Sequence, residues 1–180
     1  SNNQEKQKET VYTSFVVCLV IGALLSIIGL VFSRPVLVAM NTKPELLDGA
    51  VLYFRIFVFV LIPLALYNYG TAVLNSYGDT KRPLLAMALG GSANVVLDII
   101  FVVFFRWSVA GIALASVICV TLSCIIVLYF IFHKLPELGA RFSEIYFNSR
   151  NAIRVIKVGL PAGLQFATFA VANSFIQMGV

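Results

Sequence analysis

The chain has 180 residues, 60% of them hydrophobic and only 12% charged, and its mean hydropathy is +0.95. Soluble domains carry about 25% charged and roughly 45–50% apolar residues, so lipid must be the solvent for most of this chain, which excludes a cytosolic enzyme, a disulfide-built secreted module and a disordered tail. The net charge of +5 comes from bases at the ends of apolar runs and in the loops between them, a pattern that orients a membrane protein rather than binding nucleic acid.

A spanning helix needs about 20 mainly apolar residues, and five runs qualify. Residues 1–10, SNNQEKQKET, form a polar lead. The first run, Tyr12 to Ser33, is longer than a signal-peptide core and is read as a retained span. Its small residues Cys18, Gly22, Ser26, Gly29 and Ser33 recur at helical spacing and predict close packing on a neighbouring helix.

The second run extends from Val51 to about Leu74. Pro63 near its centre removes a backbone hydrogen bond and predicts a kink, with Tyr67, Asn68, Gly70 and Thr71 one turn later. Freed carbonyls beside polar side chains are one way to line a transport cavity; the competing reading is a structural kink with Asn68 bonded to a neighbour. The turn SYGDTKRP follows, with Gly78 for the bend and Pro83 at the start of the next helix.

The third run, Pro83 to Phe105, holds the sharpest signal. Met87, Gly91, Asn94 and Asp98 fall four, three and four apart, which places them on one helix face. Asp98 is a carboxylate well inside an apolar run, where insertion costs roughly 2.5–3.5 kcal/mol, so it must face protein, water or an ion. Fifteen residues from Pro83 at about 1.5 Å each is about 22 Å, in a core about 30 Å thick. Ionised, such a carboxylate offers hard oxygen ligands to a cation such as Na⁺; desolvated, it takes up a proton more readily. The alternative is a structural brace, Asp98 paired with a base such as Arg55.

The fourth run, Val109 to Phe132, carries a second small-residue stripe, Gly111, Ala115, Cys119 and Ser123. The longest polar insertion follows, His133 to Asn151. Residues 133–157 then read as a connection on one membrane face, leading into a fifth run from Val158 to Val180. Cys18, Cys119 and Cys124 all lie inside apolar runs and read as small packing residues, implying neither disulfide nor metal.

With the amino terminus inside, nine bases (Lys6, Lys8, Lys81, Arg82, Lys134, Arg141, Arg150, Arg154, Lys157) fall on the inner side and four (Arg34, Lys43, Arg55, Arg106) on the outer. That asymmetry predicts a cytoplasmic amino terminus. The last run stops in apolar sequence at Val180, which suggests a piece of a longer polypeptide. No glycine-rich phosphate loop, metal cluster or nucleophile–base spacing is present, so an enzyme is not expected, and no cofactor is implied.

The stretches VLYFRIFVFVLIPLALYNYGTAVLNSYGDTKRPL, ANVVLDIIFV, VAGIALASVI and KVGLPAGLQ, in this order, resemble the multidrug and toxic compound extrusion (MATE) family. The resemblance implies an all-α membrane bundle of twelve helices in two lobes, exporting drugs and organic cations in exchange for Na⁺ or H⁺. The five runs would be helices three to seven: residues 11–132 in the amino-terminal lobe, 133–157 the cytoplasmic inter-lobe connection, and 158–180 the start of the carboxyl-terminal lobe. It also implies that Asp98 and Asn94 belong to the cation site and that Ser116 contributes a hydroxyl. Tyr53, Asn68, Thr71 and Gln165 would line the cavity, and Pro161 would kink the seventh helix beside it. The partners so implied are membrane lipid, a drug-like or cationic cargo and the missing helices of the same transporter. The family's first-helix acid has no counterpart here. Two other functions compete: a lipid-linked precursor flippase of the same superfamily, disfavoured because only Arg55 is a base inside a run, and a non-transporting membrane scaffold.

Overall fold

The computed structural model describes residues 2–107, 109–134, 148–153 and 155–157, and among them all regular structure is helical. Helix α1 covers Asn2–Ala39 and α2 covers Pro44–Phe57. A 3₁₀ turn over Val58–Val60 leads into α3, Leu61–Ser76. Helix α4 covers Lys81–Ile99 and ends in a π turn over Ile100–Phe104, and α5 covers Val109–Lys134. Four segments are long and apolar enough to cross a bilayer: Glu9–Ala39, Pro44–Ser76, Lys81–Phe104 and Val109–Phe132. The fifth run lies outside the described residues.

Two of the runs are longer than hydropathy alone indicates. Helix α1 continues past Ser33 through Pro35 to Ala39, because a proline inside a helix removes one hydrogen bond without stopping the rod. The second rod starts at Pro44 rather than Val51, with Pro44 in the first turn and Glu45 behind it. The first-turn N–H groups have no intrahelical acceptor, so proline costs nothing there and an acid is favoured. Lys81, not Pro83, opens α4; its early N–H groups are likewise unbonded, and Asp79 Oδ1 accepts one of them, from Arg82, at 3.2 Å. The turn at 40–43 and residues 105–107 mark one face of the bundle, the Trp107 face; the turn at 77–80 marks the opposite, Gly78 face.

The chain divides into two compact units. In Cys18–Glu144, α5 is the central post, packed against α2, α3 and α4. Its buried residues Ala115, Cys119, Ser123, Val127 and Ile131 recur every fourth position, one continuous ridge. At its Gly78 end the ridge is bulky and Gly70 of α3 receives it, where an added Cβ would strike Val127. Toward the Trp107 face the ridge is small: Ser123 donates to Ala86 O at 3.0 Å, and a Cβ on Gly90 would collide with the Ser123 hydroxyl and stand 3.1 Å from Cys119 O.

The α1 stripe docks along the second rod. A Cβ on Gly22 would lie 3.1 Å from Ile62 Cα, and one on Gly29 would lie 2.8 Å from Val58 Cγ2. Between them Ser26 donates to Gly22 O at 2.8 Å, with Val58 O at 3.1 Å also within reach. The 3₁₀ turn that carries this carbonyl sits directly ahead of Pro63, whose missing N–H withdraws the bond that Phe59 O would otherwise receive. Large apolar side chains such as Val31 and Phe104, 66% and 76% exposed, face outward, as a lipid solvent demands.

In the other unit, 1–17 with 145–180, Asn148 anchors a helical stretch at 149–153 and 155–157. Its backbone N–H donates to Thr13 Oγ1 at 3.2 Å and its Oδ1 accepts from Arg150 N at 2.9 Å, while its amide donates to Glu9.

Candidate functional site

Three helices shape a groove of about 320 Å³. Leu64 and Tyr67 come from α3, Met87, Gly90, Gly91 and Asn94 from α4, and Ser116, Cys119, Val120 and Ser123 from α5. The spacings of three and four explain the convergence, since such residues share one helix face. At the Gly78 end Tyr67 reaches across from α3 and donates to Pro83 O at 3.2 Å. At the other end stands Asn94, with Asp98 one turn further along the same face of α4.

Three buried side-chain atoms on these elements have no hydrogen-bond partner: Asn94 Nδ2, Asp98 Oδ1 and Thr71 Oγ1. Leaving a buried polar atom unsatisfied costs roughly 1–3 kcal/mol, more when it is charged. Native structures seldom carry such atoms unless a ligand, ion or water meets them. Arg55, the base that would brace Asp98, instead donates through Nε to Ser33 Oγ at 3.1 Å. Among the described residues Asp98 forms no ion pair; the two pairs present are Arg34–Asp48 and Arg82–Asp79.

The structure gathers Asn94 and Ser116 on the groove wall; Asp98 is not on that wall and lies one turn beyond Asn94 on α4. The Ser116 hydroxyl donates to Ile112 O at 3.1 Å, so its lone pairs remain free to accept or ligate. Tyr53 is not on the wall; it stacks on Phe57 with ring centroids 5.6 Å apart. Asn68 is exposed and is likewise absent from the wall, while Thr71 lies one turn beyond Tyr67 on α3. Gln165 and Pro161 lie outside the described residues. Tyr67, marked in the sequence by its place after Pro63, and Cys119, marked as part of a small-residue stripe, belong to the groove; Gly90 belongs to it too and carries no signal that would single it out in sequence.

Just past Asp98, Phe105 N donates to Ile100 O at 3.2 Å, the wide i→i+5 step of a π turn. Such turns occur often at functional sites. Phe101, Phe105 and Trp107 cluster over it, with centroids 5.5–6.1 Å apart. Gly111 lies beneath, where a Cβ would meet both Phe101 Cβ and Trp107 Cβ at 3.0 Å. Among the described residues no three His, Cys, Asp or Glu side chains converge as a metal site would require. What the groove offers is a largely apolar wall with one amide and the hydroxyls of Tyr67, Ser116 and Ser123, and the Asp98 carboxylate stands one turn beyond the amide on α4.

A family model described as MatE matches residues 1–100, more than half of the chain. The chain belongs to the MatE family. It is 28% identical over 180 residues to the probable multidrug resistance protein NorM of Bacillus licheniformis, covering 95% of this chain and 39% of that one. It is also 28% identical over 185 residues to the FAD transporter of Shewanella oneidensis, covering 98% and 40%. Its fold superposes on a crystal structure of MATE in the bent conformation with a TM-score of 0.87 at 24% identity, over 97% of this chain and 39% of that one. The chain thus spans about two fifths of the length of these relatives and is a multi-pass membrane protein of helical-bundle fold.

Proposed function

We propose that this MatE chain forms the cation-exchanging part of an exporter of drug-like, amphipathic or cationic compounds, driven by Na⁺ or H⁺. The single observation that carries this is the buried, unpartnered Asp98 Oδ1, one turn beyond Asn94 on the wall of a groove of about 320 Å³. Asp98 would hold the coupling ion: as a carboxylate it provides oxygen to Na⁺, and as an acid it carries a proton. Asn94 and Ser116 would supply neighbouring oxygens, and Leu64, Met87 and Val120 the apolar contact for cargo. Exchange follows from competition. A bound coupling ion neutralises the carboxylate and weakens its hold on a cationic cargo, and its departure restores the charge. The relatives named for multidrug resistance support this reading, and by the distribution of bases the amino terminus and the Gly78 face would lie toward the cytoplasm of a cell membrane.

The test is Asp98→Asn in the full-length natural polypeptide, reconstituted in liposomes with an imposed Na⁺ or H⁺ gradient. Gradient-driven efflux of a cationic dye should fall to background while membrane insertion and yield are unchanged. Efflux by the variant at the parent rate, with the same ion dependence, would refute the assignment.

A further inference from the structure

On the opposite side of the second rod from the groove, Arg55 presents a charge that no acid balances among the described residues. It is exposed and sits within the span Pro44–Ser76. Its immediate surroundings on the rod and on α1 are apolar and exposed: Leu52 and Phe59 one turn to either side, and Phe32 and Val36 flanking its partner Ser33, each 41–53% exposed. Ser33 is fully buried, donates to Leu30 O at 3.0 Å and receives Arg55 Nε at 3.1 Å. One of the five guanidinium N–H groups is therefore fixed, and the terminal nitrogens make no hydrogen bond among the described residues. Asp48, the nearest acid in sequence, is occupied by Arg34 at 3.6 Å.

Depth decides what can meet this cation. From Ser76, at the Gly78 face, to Arg55 is 21 residues, or about 31 Å of helix. That is the thickness of a hydrocarbon core of about 30 Å, so the guanidinium reaches the headgroup boundary on the Trp107 face. An arginine at that level, amid apolar neighbours, lays its stem on the hydrocarbon and turns its head to the interface. The anion present there is the phosphodiester of a phospholipid, whose geometry accepts the planar guanidinium through two parallel bonds. The serine clamp restricts the guanidinium before binding, which lowers the entropic cost of capture.

We propose that Arg55, held by Ser33, is a phospholipid-phosphate site in the leaflet at the Trp107 face, and that it prefers a net-anionic headgroup. The preference follows from the local charge: Arg34, Lys43, Arg55 and Arg106 against Glu45 and Asp48. Nothing in this depends on transport; it requires that the bundle spans a bilayer and that this face of the second rod meets lipid in the full-length polypeptide.

The test is retention of lipid by the purified natural polypeptide, read by native mass spectrometry after mixing with phosphatidylglycerol, phosphatidylcholine or diacylglycerol. The parent should retain phosphatidylglycerol most and diacylglycerol, which lacks phosphate, least. Arg55→Ala should lower phosphatidylglycerol retention at least threefold, and Arg55→Lys, which keeps the charge but loses the fork, should fall between. Ser33→Ala leaves Arg55 in place and should weaken retention while circular dichroism stays unchanged, so the result does not hinge on one variant folding. Equal retention of phosphatidylglycerol and diacylglycerol, or no change in either Arg55→Lys or Ser33→Ala, would overturn the proposal. Displacement of the lipid by millimolar inorganic phosphate would also overturn it, by showing a free-anion site instead.

Discussion

Asn94 and Asp98 are expensive residues for their surroundings, and the partnerless Asp98 oxygen is the feature among the described residues on which the proposed cation site rests. Both were legible beforehand, because a carboxylate and an amide on one face of an otherwise apolar helix have no cheap place in lipid. The glycines of α4 were not so legible, since sequence shows a pair, Gly90-Gly91, without saying which one faces α5. Geometry separates them: a Cβ at Gly90 runs into Ser123 and the Cys119 carbonyl, while one at Gly91 meets nothing within 4 Å. Gly90→Ala should therefore lower bundle stability by about 1–3 kcal/mol, as overpacking does, and Gly91→Ala should leave it unchanged. Thermal unfolding of the two variants in the same detergent reads the difference directly.

At the scale of elements, the junction between α1 and the second rod is built around the irregular turn ahead of Pro63. Ser26 reaches a carbonyl of that turn, and Gly29 lets Val58 approach. Inter-helix hydrogen bonds in membranes are worth about 0.6 kcal/mol on average, with a maximum near 1.7. Ser26→Ala should lie within that range, whereas Gly29→Leu should cost more because it separates the helices; a denaturant titration of both ranks the two effects. The small-residue stripes were readable as periodicity, but their targets were not, because the partner of a stripe depends on which helix lies alongside. The π turn was invisible for a similar reason: IFVVF has no residue that demands it, and packing around Gly111 shapes it. Gly111→Val should push the Phe101–Trp107 contact apart, and the emission maximum of Trp107, the one tryptophan in the chain, should shift while helix content holds.

At the scale of the whole molecule, four apolar spans were readable from hydropathy, and their middles agree with the helices seen. Their ends were less readable, because α1 beyond Ser33 and the rod before Val51 leave the hydrocarbon and continue on helix propensity and capping alone. Orientation rests on the bases, nine against four, and it makes a prediction. Thr80→Cys, in a background with Cys18, Cys119 and Cys124 replaced by Ala, should react with an impermeant maleimide only in permeabilised cells. Labelling of intact cells would invert the topology.

The ridge of α5 tapers, bulky toward the Gly78 face and slight toward Trp107, and the tyrosine bridge from α3 to α4 ties the bulky end shut. Sliding a guest inward between α3 and α4 would mean prising Tyr67 from Pro83 and lifting Val127 and Ile131 off their glycine seat. A bundle built that way is tied most firmly at its Gly78 end, so parting α3 from α4 there would break several contacts at once.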